Sequence, residues 1–99
     1  MGQAPVTAVT VTARFRALPG RADELVPLLV QLANHSRRED GCVDYGYFRQ
    51  SEDFTSIEHW ASPEAEAAHN DTDFLRRLLR QILPLLDGRP QVTRWQRVA

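Results

Sequence analysis

The feature that most constrains this fold is the order in which the spacing of apolar residues changes along the chain. In VTAVTVTARFR (6–16), Val9, Val11, Ala13 and Phe15 alternate with Thr10, Thr12, Arg14 and Arg16. A period of two with β-branched residues predicts a half-buried strand. After Pro19-Gly20 the spacing becomes helical: Leu25, Leu28, Leu29 and Leu32 fall on one stripe between Ala22 and about Arg38. Asp23 and Glu24 stand in the first turn, where the helix dipole favours acids. Pro27 lacks a backbone donor and crowds the carbonyl of Asp23, which predicts a loose or kinked start. Asp40-Gly41 reads as the helix end, with Gly41 in a left-handed cap.

Period two then returns twice. In CVDYGYFRQ (42–50), Val43, Tyr45 and Tyr47 oppose Cys42, Asp44, Gly46 and Phe48; SEDF is a turn; TSIEHW (55–60) is a third strand, giving a hairpin. Ser62-Pro63-Glu64 is a helix start, with Ser62 as N-cap and Pro63 at the first helical position. That helix runs to about Asn70, where Asn70-Asp71-Thr72-Asp73 interrupts it. Any of these four side chains can cap a second segment from Phe74, whose Phe74, Leu78 and Ile82 adjoin Leu75, Leu79 and Leu83. Pro84 and Gly88 close the segment, and PQVTRWQRV (90–98) reads as the last strand.

The order is βαββαβ, which predicts an α+β, ferredoxin-like fold: a four-stranded, mainly antiparallel sheet with both helical stretches on one face. The other face needs a cover. Aromatics among Tyr45, Tyr47, Phe48 and Trp95 must appear on it, so a homodimer packed through its sheet faces is expected. Ninety-nine residues suit one domain spanning 1–99, with residues 1–5 as a frayed terminus.

Charge narrows the partners. The formal net charge is −1, so electrostatics gives no reason to propose nucleic acid or an anionic membrane surface. All 12 basic residues are arginine, which excludes Schiff-base chemistry and lysine-dependent phosphate loops. Cys42 is the single cysteine and cannot form an internal disulfide, which points to the cytoplasm. There is no signal-like segment and no apolar run of membrane-spanning length.

Motifs for known chemistries are sparse. His35, His59, His69 and Cys42 show no paired metal-ligand spacing. Glu66-Ala67-Ala68-His69 places a carboxylate and an imidazole on one helical face, but a di-iron bundle needs two such helices; no metal is expected. There is no GxSxG elbow and no glycine-rich phosphate loop. Arg76, Arg77 and Arg80 read as the solvated face of a helix. That leaves SIEHWASPEAEAAH (56–69). Glu58 and Trp60 share one strand face and His59 points the other way. Trp60 read alone is a packing anchor or a ligand contact. His69 is a structural helix residue or, with an ordinary pKa of ~6.5, a proton carrier. His35 can satisfy the negative end of the first helix. Spacing goes no further.

The chain resembles the antibiotic biosynthesis monooxygenase family of small dimeric α/β-barrel proteins. The resemblance lies in VTARFRALPGRADEL, SRREDGCVDYGYFRQ with its Glu-x-Gly-Cys before a tyrosine-rich strand, IEHWASPEAEAAHNDTDF with Glu-x-Trp and a histidine nine residues on, and the ending ILPLLDGRPQV. It implies a ferredoxin-like fold dimerised through its sheets, with a mostly apolar pocket between sheet and helices. It also implies oxygenation of a small aromatic, quinol or polyketide-type molecule by molecular oxygen without metal, flavin or haem. His69 would be the base or proton shuttle, Trp60 an apolar wall and N–H donor, and Tyr45 a polar contact. Glu58, Phe74 and His35 would line the pocket, and Arg14 would partner the anion. Haem-degrading relatives carry an asparagine where Ala13 falls and a ligating histidine beyond His69, so haem is not expected. A non-catalytic dimeric binding protein and an isomerase or cyclase of a small carbonyl compound stay open.

Overall fold

A computed structural model describes residues 8–99. The frayed terminus expected over 1–5, and residues 6–7 of the expected first strand, lie outside the described residues. The elements are β1 (Val9–Arg16), α1 (Ala22–Ser36), β2 (Cys42–Gln50), β3 (Asp53–Trp60), α2 (Pro63–Asn70), α3 (Asp73–Ile82), a 3-10 turn (Leu83–Leu85) and β4 (Gln91–Trp95). The sheet order is β2-β3-β1-β4, with every neighbouring pair antiparallel. This is the expected ferredoxin-like α+β arrangement. No described helix is long and apolar enough to cross a membrane.

Alternation sorts the side chains. The registers Val11↔Glu58, Val11↔Arg94 and Tyr45↔Glu58 place these four residues on the face that the helices cover. From α1, Leu25, Leu29, Leu32, Ala33 and Ser36 descend onto that face, and Leu75, Leu78 and Ile82 come from α3. Each fully buried leucine contributes roughly 1.5–3 kcal/mol, so these stripes hold the helices to the sheet. Ser62 caps α2 by accepting from the Ala65 amide at 3.1 Å, and Thr72 caps α3 through the Leu75 amide at 3.2 Å.

Four local expectations need correction. The first helix, with Pro27 inside it, stops at Ser36, short of Asp40-Gly41, because turn bonds from Arg38 to His35 and from Glu39 to Ser36 replace the helical ladder. Gly41 does take a left-handed φ of 80°, but in the turn before β2 rather than as the helix cap. Val43 does not share a face with Tyr45. A bulge between Cys42 and Asp44 turns it out, leaving it 70% exposed against 2% for Tyr45. Finally, Leu83 sits in the 3-10 turn and is exposed.

The outer sheet face carries Thr10, Thr12, Arg14, Phe48, Ile57, His59 and Trp95. Phe48, Ile57 and Trp95 are exposed there, whereas Tyr45 and Tyr47, expected among the aromatics of this face, point inward. His59 Nδ1 lies 3.0 Å from Thr10 Oγ1, and the Trp95 indole donates to Thr12 Oγ1 at 2.9 Å.

Candidate functional site

Period two on β3 places Ser56, Glu58 and Trp60 side by side on the inner face, and all three are buried. The Ser56 hydroxyl donates to Glu58 Oε2 at 2.8 Å and the Trp60 indole N–H donates to Glu58 Oε1 at 3.1 Å. Each carboxylate oxygen thus has a partner two residues away on the same strand. Burial pushes the Glu58 carboxyl above its ordinary value, opposed by the Trp60 and Ser56 hydrogen bonds and by the nearby His69. The Trp60 N–H, expected to face a ligand, is engaged by Glu58.

His69 closes the cluster from above. It lies in the last turn of α2 and is 4% exposed. Its ring centroid is 4.8 Å from that of Trp60 and 5.4 Å from that of Tyr45. Its Nδ1 is 2.6 Å from Oε1 of Glu39, in the turn after α1. Glu66, one helical turn earlier, is also buried, but its carboxylate is taken by Arg94 of β4 at 2.7–3.0 Å and by the Asn70 amide at 3.2 Å. The Arg94 hydrogen bonds hold the Glu66 carboxyl below the usual range.

Tyr45, opposite Glu58 on β2, has its hydroxyl 3.0 Å from that of Tyr47. Burial pushes both phenols up, and the Glu58 charge adds to this; both therefore remain protonated hydrogen-bonding groups. Burial likewise raises the Cys42 thiol, which fits a packing residue rather than an activated thiolate. Among the described residues, no group of three or more His, Cys, Asp or Glu side chains is arranged to hold a metal ion.

The structure therefore brings together His69, Trp60, Tyr45 and Glu58. His35 and Phe74 lie one layer out, stacked at 3.8 Å between ring centroids. His35 Nε2 stands 3.4 Å from Glu39 Oε2, so the carboxylate of Glu39 links this layer to His69. Arg14 is not brought to the cluster: as an even-numbered residue of β1 it points out of the opposite sheet face and is exposed.

Sequence reasoning missed Glu39, Ser56, Tyr47 and Arg94. Ser56 was legible, two residues before Glu58 on a strand. Glu39 stood in the Glu-x-Gly-Cys stretch, four residues after His35, with nothing to tie it to His69, and Arg94 gave no signal at all, since its meeting with Glu66 depends on how β4 returns to the sheet.

A cavity of about 220 Å³ lies between α1 and the β2–β3 hairpin. Val26, Leu29, Val30 and Ala33 form its apolar wall with Tyr47 and Phe54, and Arg37 and Arg49 also line it. His69, Trp60, Glu58 and Tyr45 do not line it. Tyr47 belongs to both places, since it lines the cavity and its hydroxyl meets that of Tyr45.

The family model described as antibiotic biosynthesis monooxygenase matches residues 8–81. Among solved structures, PA3566 from Pseudomonas aeruginosa is 30% identical, with 99% of this chain and 100% of that chain covered and a TM-score of 0.86. A crystal structure described as an antibiotic biosynthesis monooxygenase is 26% identical over 92% of this chain and 99% of that one, with a TM-score of 0.86. Rv0793 from Mycobacterium tuberculosis is 25% identical over 94% and 97%, with a TM-score of 0.87. No curated protein matches.

Proposed function

The chain belongs to the antibiotic biosynthesis monooxygenase family, and from that premise we propose that it is a monooxygenase of small phenolic, anthrone-like or quinol molecules that works without metal, flavin or haem. In the anthrone case the balance is one methylene and one O2 giving one carbonyl and one water. The substrate supplies its own electrons once deprotonated, so the protein has to bind it away from water, accept a proton and stabilise the anion.

The observation that carries this reading is the buried imidazole of His69, packed on Trp60 and Tyr45 beside a buried carboxyl, Glu58, on the same inner face. An imidazole enclosed by aromatic walls, beside a carboxyl whose protonation burial shifts, is what proton abstraction from a phenol requires. His69 is the proposed base. Trp60 is the apolar wall and Tyr45 the polar contact. The cavity on Tyr47 is the proposed approach, and its volume of about 220 Å³ suits a molecule of one or two rings. Oxygen uptake with a panel of hydroquinones and anthrones tests the proposal, with a chelator present to exclude adventitious metal. His69→Ala is expected to abolish uptake; an unchanged rate in that variant, or none in the wild type, sinks it.

One observation favours a second reading: His69 does not line the cavity. A non-catalytic protein binding a small aromatic there would show saturable binding with no uptake, and an isomerase or cyclase would turn over without oxygen. In all three cases the active form is proposed to be a homodimer in the cytoplasm, with Phe48, Ile57 and Trp95 of the outer sheet face buried against a second copy. Trp95→Asp is expected to halve the mass measured by light scattering.

A further inference from the structure

We propose that Glu39 positions His69, fixing the imidazole in the tautomer that carries its proton on Nδ1 and leaves Nε2 free to accept one. The proposal rests on the reading of His69 as a proton carrier, and it gives a role to a residue that the sequence placed only in the Glu-x-Gly-Cys stretch.

Three observations carry it. The contact is short and sheltered: Nδ1 to Oε1 is 2.6 Å, with the His69 side chain 3% exposed and the Glu39 side chain 16% exposed. A carboxylate only accepts, so the Nδ1 nitrogen must be the donor, and that choice settles the state of the other nitrogen. Glu39 is also pinned by its backbone. Its amide donates to the Ser36 carbonyl at 3.0 Å, and its carbonyl accepts from the Cys42 amide at 3.1 Å. The side chain therefore starts from a fixed point between α1 and β2. Third, the far oxygen of the same carboxylate faces a second imidazole. Glu39 Oε2 is buried and makes no hydrogen bond. His35 Nε2, 3.4 Å away, is held there by the stack of its ring on Phe74.

The groups that face His69 are Glu39 and His35 from the α1 end, Tyr45 on β2, Glu58 on β3 and Glu66 on its own helix. Arg94 of β4 neutralises Glu66, and Cys42 lies near Glu39. Glu39 is the one among them that hydrogen-bonds the ring.

The test is nitrogen-15 NMR of histidine-labelled full-length protein across neutral pH, on the wild type and on Glu39→Gln. The wild-type His69 is expected to show Nδ1 protonated and Nε2 bare. The glutamine variant, which keeps the size but loses the charge, is expected to show mixed tautomers. Its kcat is expected to fall roughly 10- to 100-fold with little change in KM. A wild-type His69 protonated on Nε2 overturns the proposal, as does a glutamine variant with an unaltered tautomer. Absence of turnover in the wild type sinks the oxygenase reading alone, since the tautomer measurement needs no substrate and no variant that folds.

Discussion

Gly41→Ala is a sharp test of how α2, and with it His69, is seated. Two costs arise at this position. The backbone has φ of 80°, a left-handed conformation that costs a residue with a Cβ about 1–2 kcal/mol. A Cβ built there would also stand 2.5 Å from the Cβ of Ala65 on α2, well inside contact distance. Overpacking of that kind costs about 1–3 kcal/mol, so the total is about 2–5 kcal/mol. Gly20 separates the two costs. Its φ is 78°, yet nothing lies within 4 Å of its built Cβ, so Gly20→Ala should show the conformational cost only. Urea unfolding of both variants measures the difference, expected at about 1–3 kcal/mol. Ala65→Gly completes a double-mutant cycle. Alone it costs about 1 kcal/mol for glycine in a helix, but with Gly41→Ala it should return most of the clash. If Gly41→Ala is no worse than Gly20→Ala, or the cycle shows no coupling, the close seating of α2 on the turn before β2 is wrong.

Trp60→Phe retains an aromatic ring but deletes the indole donor to Glu58 Oε1; a loss of about 1.5–3 kcal/mol is expected in urea at neutral pH, shrinking once Glu58 is protonated. Glu58→Gln tests the burial-raised carboxyl. Because the folded protein holds this proton more tightly than the unfolded chain, ionisation costs stability as pH rises from about 4.3 through the folded value. The glutamine variant should therefore gain on the wild type across that window, and a widening deficit would contradict the assignment. Arg94→Gln tests the opposite sign: the lowered Glu66 carboxyl adds stability above its unfolded value that disappears as pH falls through its folded one. The variant should show a flatter acid limb in thermal melts from pH 6 to 2, and an unchanged limb would mean that the pair is not formed in solution.

Much of the fold was legible because it depends on local periodicity. Alternation in 9–16 and 55–60 and the leucine stripe from Leu25 to Leu32 each reflect one element burying one face, and Ser62 and Thr72 are caps whose chemistry is complete within three residues. Legibility failed where a neighbour decides the geometry. Val43 fits the alternation of its strand, but the bulge beside it is set by pairing with β3, so the pattern assigned it to the wrong face. Arg14 was drawn toward the site for its charge, although its own strand parity had already placed it outside.

The sequence by itself determined the order of elements, the inward direction of Glu58 and Trp60, and the place of His69 on α2. It did so because strand parity and helical spacing are properties of consecutive residues. Only the tertiary structure decided that Glu39 would reach His69, that Arg94 would neutralise Glu66, and that the Trp60 N–H would face Glu58 rather than a ligand. These contacts depend on the separation and tilt of elements up to tens of residues apart in the chain, which packing of the whole core sets and no local pattern records.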